Sequence, residues 1–308
     1  MRLALFAPLL VLLAGCGAVE RSLVEQAVAA RVAAAGFVER EATVDGRPIA
    51  YLERGGSRPA LVLVHGFGAQ KESWADLVAA LPEGRRVLAL DLPGHGDSPA
   101  ETPAVYGPDR YADDVLAWLD ALGTGPVHLG GSSMGGHVVS LVAARRPGAV
   151  RSLILVSPAG LDSPEPSRFD AFLALGENPL IPTDRASYDE MLAFAFEQDP
   201  GLPGAARDVF AEAAAARAPF LRRLFTNLRS EPDPLAGVLP TLDVPSLVVW
   251  GEADRVLDVS AGARWRELLG ARLVVLPDVG HAPMMEAPEA LGDPISDFLA
   301  AIGDSTDG

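Results

Sequence analysis

Short, mostly apolar runs recur along the chain at 60–64, 87–90, 127–129 (Val-His-Leu), 153–156, 246–250 and 273–276, each closed by Gly, Pro, Asp or Ser nearby. Runs of this length without polar alternation suit strands buried on both faces of a parallel sheet. Between them lie stretches with helical spacing of apolar positions, at 72–80, 109–122, 134–145, 259–269 and 288–301. Strand and helix in alternation predict an α/β fold, with a mostly parallel central sheet flanked by helices. Two earlier strands, 37–44 and 48–54, flank the hairpin dipeptide Asp45-Gly46 and add an antiparallel edge.

One segment breaks the alternation. From 161 to 241 no buried-strand run occurs; helical patterns at 167–175, 185–197, 205–216 and 219–229 are separated by Pro/Gly-rich joints. Seven of the 11 Phe fall here: Phe169, Phe172, Phe194, Phe196, Phe210, Phe220 and Phe225. A helical insertion this aromatic packs on the sheet or lines a pocket for an apolar ligand. Ordinary helix packing accounts for most of the seven, and one or two facing a pocket suffice for function.

The N-terminus has a different pattern. Arg2 precedes an apolar stretch at 3–14 that ends in Gly15-Cys16-Gly17, the layout of a secretory signal. Leu13-Ala14-Gly15-Cys16 resembles the bacterial lipobox. That resemblance implies a signal peptide at 1–15 and lipidation of Cys16, with acyl chains tethering the protein to a bacterial membrane. A plain cleaved signal and an uncleaved helix are the alternatives; the run is short for a span of about 20 residues. Residues 16–36 then read as a helical, Ala/Val-rich spacer.

Composition narrows the partners. With 25 Lys+Arg against 41 Asp+Glu, the net charge of −16 argues against nucleic acid, which needs a basic face. Cys16 is the only cysteine, so an internal disulfide and a Cys-based zinc site are excluded. Hydrophobic residues at 49% and charged residues at 21% exclude global disorder.

The candidate chemistry sits just after predicted strands. Gly131-Ser132-Ser133-Met134-Gly135 matches G-x-S-x-G between a strand and a helix, the context of a nucleophile elbow. Ser133 is the candidate nucleophile, and Ser132 a small spacer. His65-Gly66-Phe67-Gly68 follows the 60–64 strand; the Phe67 and Met134 amides form a candidate oxyanion hole. Asp254 follows the 246–250 strand and His281 the 273–276 strand. The order Ser, Asp, His is that of a hydrolase triad in which His281 takes the proton from Ser133 and Asp254 orients the imidazole. Asp258, Asp278 and Glu252 are rival acids, Asp258 the nearest. His95, in Asp91-Leu-Pro-Gly-His-Gly-Asp-Ser98, reads as part of a loop that shapes the fold, with Asp91 capping turn amides; His128 and His137 read as structural. No HExxH pair or other metal pattern is present.

These segments together resemble the α/β-hydrolase superfamily over residues 37–302. His65-Gly-Phe-Gly-Ala-Gln-Lys-Glu-Ser-Trp74 and Ser132-Ser-Met-Gly-Gly136 are similar to the bacterial family-five lipases and to monoacylglycerol lipases of the α/β-hydrolase-domain type. The resemblance implies an α/β-hydrolase core at 37–160 and 242–302 with a helical cap at 161–241. It also implies hydrolysis of apolar carboxylic esters through an acyl-enzyme, without metal, organic cofactor or obligate protein partner. Epoxide hydrolases and haloalkane dehalogenases share the loops but use an Asp nucleophile, from which Ser133 departs. A serine-dependent carbon–carbon bond hydrolase and a proline-type aminopeptidase share the triad and cap, and are the alternative chemistries. A non-catalytic binding protein on this scaffold would usually lack part of the triad.

Overall fold

The computed structural model describes residues 7–101, 104–229 and 235–303. Eight strands form one sheet: β1 (Val38–Val44), β2 (Arg47–Arg54), β3 (Arg58–Val64), β4 (Arg85–Leu90), β5 (Val127–Ser132), β6 (Val150–Val156), β7 (Ser246–Gly251) and β8 (Arg272–Leu276). Their order is β1-β2-β4-β3-β5-β6-β7-β8. The β1–β2 and β2–β4 pairs are antiparallel and the rest parallel. The hairpin turns at Asp45 and Gly46, with φ of 50° and 79°. Two successive positive φ values match the right-handed strand twist, which explains the Asp-Gly pair.

Beside three short 3-10 turns, the described residues form ten α-helices: α1 (Ala7–Ala34), α2 (Ala75–Ala80), α3 (Pro108–Leu122), α4 (Met134–Arg145), α5 (Arg168–Ala174), α6 (Arg185–Ala195), α7 (Gly204–Leu228), α8 (Ala261–Leu269), α9 (Pro283–Glu286) and α10 (Pro288–Ala301). The strand pleat divides the core between the two sheet faces. On β3, Val62 and Val64 join the cluster under α3 and α4, while Leu61 and Leu63 join the one under α2 and α10. All four are essentially inaccessible to solvent, as the apolar runs predict.

Three features depart from the sequence expectation. First, the predicted helices 205–216 and 219–229 are one helix, α7, with Pro219 inside it. An interior proline removes a hydrogen bond and costs about 3 kcal/mol. Here Ala-rich turns precede it, and Ala218, Leu221 and Leu224 are buried just around it. Second, the stretch read as a spacer is a packed element. Val24, Val32 and Ala35 are buried, at helical spacing, and Val32 and Ala35 belong to the α2/α10 core. Arg31 forks onto Asp76 of α2, and Arg21 reaches Glu212 of α7 at 2.7 Å. Third, a short helix, α9, directly follows the predicted catalytic histidine. Residues 1–6 of the predicted signal lie outside the described residues, as does the side chain of Cys16. No helix among the described residues is long and apolar enough to cross a membrane.

Candidate active site

The connection after β3 runs to one side of the sheet, to β4, and that after β5 runs to the other, to β6. A crevice opens at the carboxyl ends of two neighbouring parallel strands whose connections diverge in this way. The His65-Gly-Phe-Gly turn and Ser133 follow β3 and β5 at that point.

Ser133 caps the N-terminus of α4 with φ 51° and ψ −119°. A non-glycine residue in that region is strained, and such strain persists only where the surroundings impose it. They do so here through close main-chain approach. A Cβ on Gly131 would lie 2.4 Å from the Gly135 oxygen, and one on Gly135 would lie 2.2 Å from the Val64 oxygen. The Ser133 N–H donates to Val156 O at 3.0 Å, and its carbonyl accepts from Ala159 N at 3.0 Å. The turn is therefore locked from both sides, and Ser133 stays partly exposed.

The two predicted partners of the serine meet. His281 Nδ1 lies 2.8 Å from Asp254 Oδ2, and the Asp254 side chain is fully shielded from solvent. The other oxygen, Oδ1, accepts from Val256 N at 2.9 Å and Leu257 N at 3.0 Å. Three donors thus fix the carboxylate, and a carboxylate facing Nδ1 keeps the proton there and leaves Nε2 as the basic atom. Of the rival acids, Asp258 accepts from Ser260 N within its own turn, and Glu252 is exposed. The Ser133 hydroxyl makes no hydrogen bond among the described residues, so its predicted contact with His281 is not closed. Such contacts commonly tighten only around substrate.

The Phe67 and Met134 amides have no acceptor among the described residues. Met134 opens α4, where first-turn amides point out of the helix end. The two turns touch: a Cβ on Gly66 would lie 3.2 Å from the Ser133 Cβ. His65 is fully buried beneath this turn, with Nδ1 2.8 Å from Gly66 O and Nε2 accepting from Leu92 N at 3.1 Å. Burial pushes its pKa down to about 4, against the opposing effect of the Gly66 carbonyl, so it is a neutral buckle at pH 7. Asp91 caps amides as expected, accepting from Lys71 N at 2.8 Å and Asp97 N at 2.9 Å. His95 is buried, its ring tilted by 52° against that of His65 with the ring centres 4.8 Å apart.

Sequence reasoning missed Lys71 and Glu286. Lys71 is buried, with its ammonium 2.9 Å from Asp91 and 2.7 Å from Glu72, and also against Asp97. Burial lowers its pKa, but Asp91 and Glu72 more than offset this and raise it overall, so the ammonium stays charged. A lysine beside two loops offered no pattern that marked it as buried. Glu286 lies in α9, five residues after His281, a spacing that could have drawn attention to it.

Helices α5, α6 and α7 close over this edge with aromatic side chains. Phe225 of α7 meets Phe67 at 5.8 Å and Phe169 at 5.7 Å, and Phe172 meets Phe194 at 5.4 Å. Phe169 and Phe194 pack with Val256, in the loop that carries Asp254.

The sequence pattern of the alpha/beta hydrolase family matches residues 61–293. The chain belongs to that family. Among curated relatives in this family, it is 31% identical over 261 residues to monoacylglycerol lipase ABHD6 of Bos taurus, covering 81% of this chain and 77% of that one. It is 30% identical over 246 residues to Lipase 3 of Moraxella sp. (strain TA144), covering 78% and 76%. Among solved structures, a bacterial membrane phospholipase A described as a virulence factor superposes with a TM-score of 0.91 and 38% identity, over 97% of this chain and 98% of that one. The α/β-hydrolase fold and the lipase-type relatives expected from the motifs are thus found.

Proposed function

We propose that this protein is a serine carboxylic-ester hydrolase that takes acylglycerol-type or similar apolar esters from a lipid phase. The observation that carries the proposal is the hydrogen bond between the shielded Asp254 carboxylate and His281, at the same end of the strands as the strained Ser133. Relatives named as lipases support the ester class. The aromatic side chains of α5–α7 above Phe67 support an apolar acyl group.

In this mechanism the Ser133 oxygen attacks the ester carbonyl while its proton passes to His281 Nε2. The oxyanion is held by the Phe67 and Met134 amides; one such donor is worth about 2.7–4 kcal/mol in comparable enzymes. Collapse breaks the carbonyl–alkoxy bond, and His281 returns the proton to the leaving alcohol. Water then gives a proton to His281 and attacks the acyl-enzyme, releasing the fatty acid and restoring Ser133. Asp254 keeps Nδ1 protonated throughout. The chemistry is complete without metal or organic cofactor.

The same reading takes residues 161–241 as the cap over a core at 37–160 and 242–302. It takes 1–15 as a lipoprotein signal and Cys16 as the lipidated residue of an envelope protein, an arrangement that sets the enzyme beside its substrate. The test is hydrolysis of p-nitrophenyl esters of increasing chain length by the full chain in detergent, with Ser133→Ala alongside. Turnover that rises beyond short acyl chains and vanishes in Ser133→Ala is expected. A folded protein inert toward every ester, or one that keeps activity in Ser133→Ala, refutes the proposal.

A further inference from the structure

Glu286 occupies an unusual place in the hydrogen-bond pattern. Its Oε2 accepts from Gly280 N at 3.0 Å, Glu197 N at 2.7 Å and Gln198 N at 3.3 Å, and its Oε1 accepts from Ala282 N at 3.1 Å. Two of these donors flank His281. The other two belong to the chain leaving α6, 88 and 89 residues away in sequence. The His281 amide itself donates to Ala195 O, the last residue of α6, at 2.8 Å. All three amides at 280–282 are therefore committed either to Glu286 or to the end of α6. The approach leaves no slack: a Cβ on Gly280 would lie 2.6 Å from Glu197 N and 2.8 Å from Ala195 O.

The loop bearing Asp254 joins the same junction. Arg255 donates to Phe196 O at 3.1 Å and pairs with the Glu197 carboxylate. Both residues of the Asp254–His281 pair are thus braced against one four-residue stretch, 195–198.

We infer that Glu286 is a positioning residue that fuses the end of α6 to the His281 loop, so that this end of the helical insertion and the imidazole hold their places as one unit. Hydrogen bonds to an ionised carboxylate are about twice as strong as neutral ones, and four of them converge here. Displacing the α6 end breaks the Glu286 contacts to Glu197 and Gln198 and the Ala195–His281 bond together. Any opening of the insertion to admit substrate therefore turns about 195–198 and does not lift it. The inference rests on the triad reading above and specifies what holds its histidine.

The test compares Glu286→Ala and Glu286→Gln in the full chain. Three readouts are taken: steady-state ester hydrolysis, the rate of Ser133 labelling by a small fluorophosphonate, and the thermal melt. A small phosphonate needs the serine–histidine pair but little of the acyl pocket. Loosening the imidazole is expected to lower kcat by about tenfold to a hundredfold, with KM within about threefold and phosphonate labelling slowed in parallel. Glutamine keeps one acceptor oxygen and turns N–H groups toward the remaining donors, so it should fall between wild type and alanine. If Glu286→Ala does not fold, the glutamine variant carries the test. Folded variants with wild-type kcat and wild-type labelling rate would overturn the inference, whatever their melting temperature. A wild-type protein that neither turns over esters nor labels would instead refute the hydrolase reading on which the inference stands.

Discussion

The most discriminating single substitution is Asp254→Asn. In the structure Asp254 Oδ2 faces His281 Nδ1 at 2.8 Å, and Oδ1 accepts from Val256 N and Leu257 N. An asparagine whose oxygen stays on the two turn amides keeps the loop satisfied, which protects folding. Its nitrogen then points at His281 Nδ1. Two donors cannot face each other, so the imidazole shifts its proton to Nε2, and the atom that takes the Ser133 proton in the proposed mechanism is no longer basic. The equivalent change in a serine protease triad lowers kcat about 10⁴-fold, which corresponds to about 5 kcal/mol of transition-state stabilisation. The same order is expected here, because the Asp254 side chain is wholly screened from water that would otherwise substitute for it. The assay is initial-rate hydrolysis of p-nitrophenyl butyrate, with urea unfolding to show that the variant is folded. Asp258→Asn is the matched control: among the described residues the Asp258 side chain serves Ser260 N alone, and activity within about threefold of wild type is expected. An Asp254→Asn enzyme within tenfold of wild type, or an Asp258→Asn enzyme as damaged as Asp254→Asn, would refute the assignment of the acid.

Two further outcomes follow from other parts of the structure. Burial holds His65 neutral with a pKa of about 4, while the unfolded chain takes up a proton near the ordinary value of 6.5. Unfolding therefore binds protons between those values, and stability falls as pH drops from about 6.5 and levels off below about 4. The slope is about 1.4 kcal/mol per pH unit for this one group. Urea unfolding at pH 7 and pH 5 should show that slope reduced by about one proton in His65→Gln, and an unchanged slope would contradict the burial argument. For the N-terminus, Cys16→Ser in a bacterial host should move the protein from the membrane to the soluble or uncleaved fraction and abolish incorporation of labelled palmitate. Equal labelling of both forms would exclude lipidation at Cys16.

Much of the molecule was legible because its determinants are local. The central parallel strands are runs of six or seven residues, mostly buried on both faces and therefore mostly apolar, whereas the run at 273–276, expected to be buried on both faces, forms the edge strand β8 with Val275 exposed, because no further strand covers its outer side. Asp45-Gly46 demands two positive φ values and so announces its hairpin. Ser133 was legible for a steric reason: glycine at 131 and 135 leaves room for main-chain atoms at 2.4 Å and 2.2 Å from where a Cβ would stand. Asp254 and His281 stood out because each is an ionisable residue just past a strand end, and the structure places the two side chains 2.8 Å apart. Where the reading failed, distance or compensation was the cause. Pro219 reads as a helix break, yet burial of Leu221 and Leu224 against the core outweighs its local cost. The Val24, Val28, Val32 stripe of α1 marks an apolar face, but nothing in its spacing says that α2 and α7 receive it.

Glu286 shows most clearly why a site is only half written in side chains. Its four partners are backbone amides, and every residue but proline carries one. The acceptor is visible in the sequence, whereas the donors at 197, 198, 280 and 282 have no side-chain signature at all. A pairing rule can find Asp254 with His281, since both partners have distinctive chemistry. It cannot find a carboxylate that serves main chain, because what selects the partner is where α6 ends, and that is settled only when the insertion has folded onto the sheet. The same reasoning applies to His65, whose partners are Gly66 O and Leu92 N, and in part to Asp91, which serves the amides of Lys71 and Asp97. The groups expected to react are read by identity. The groups that hold them in place bind anonymous main chain, and the three-dimensional arrangement is needed to tell a surface glutamate from a hinge pin.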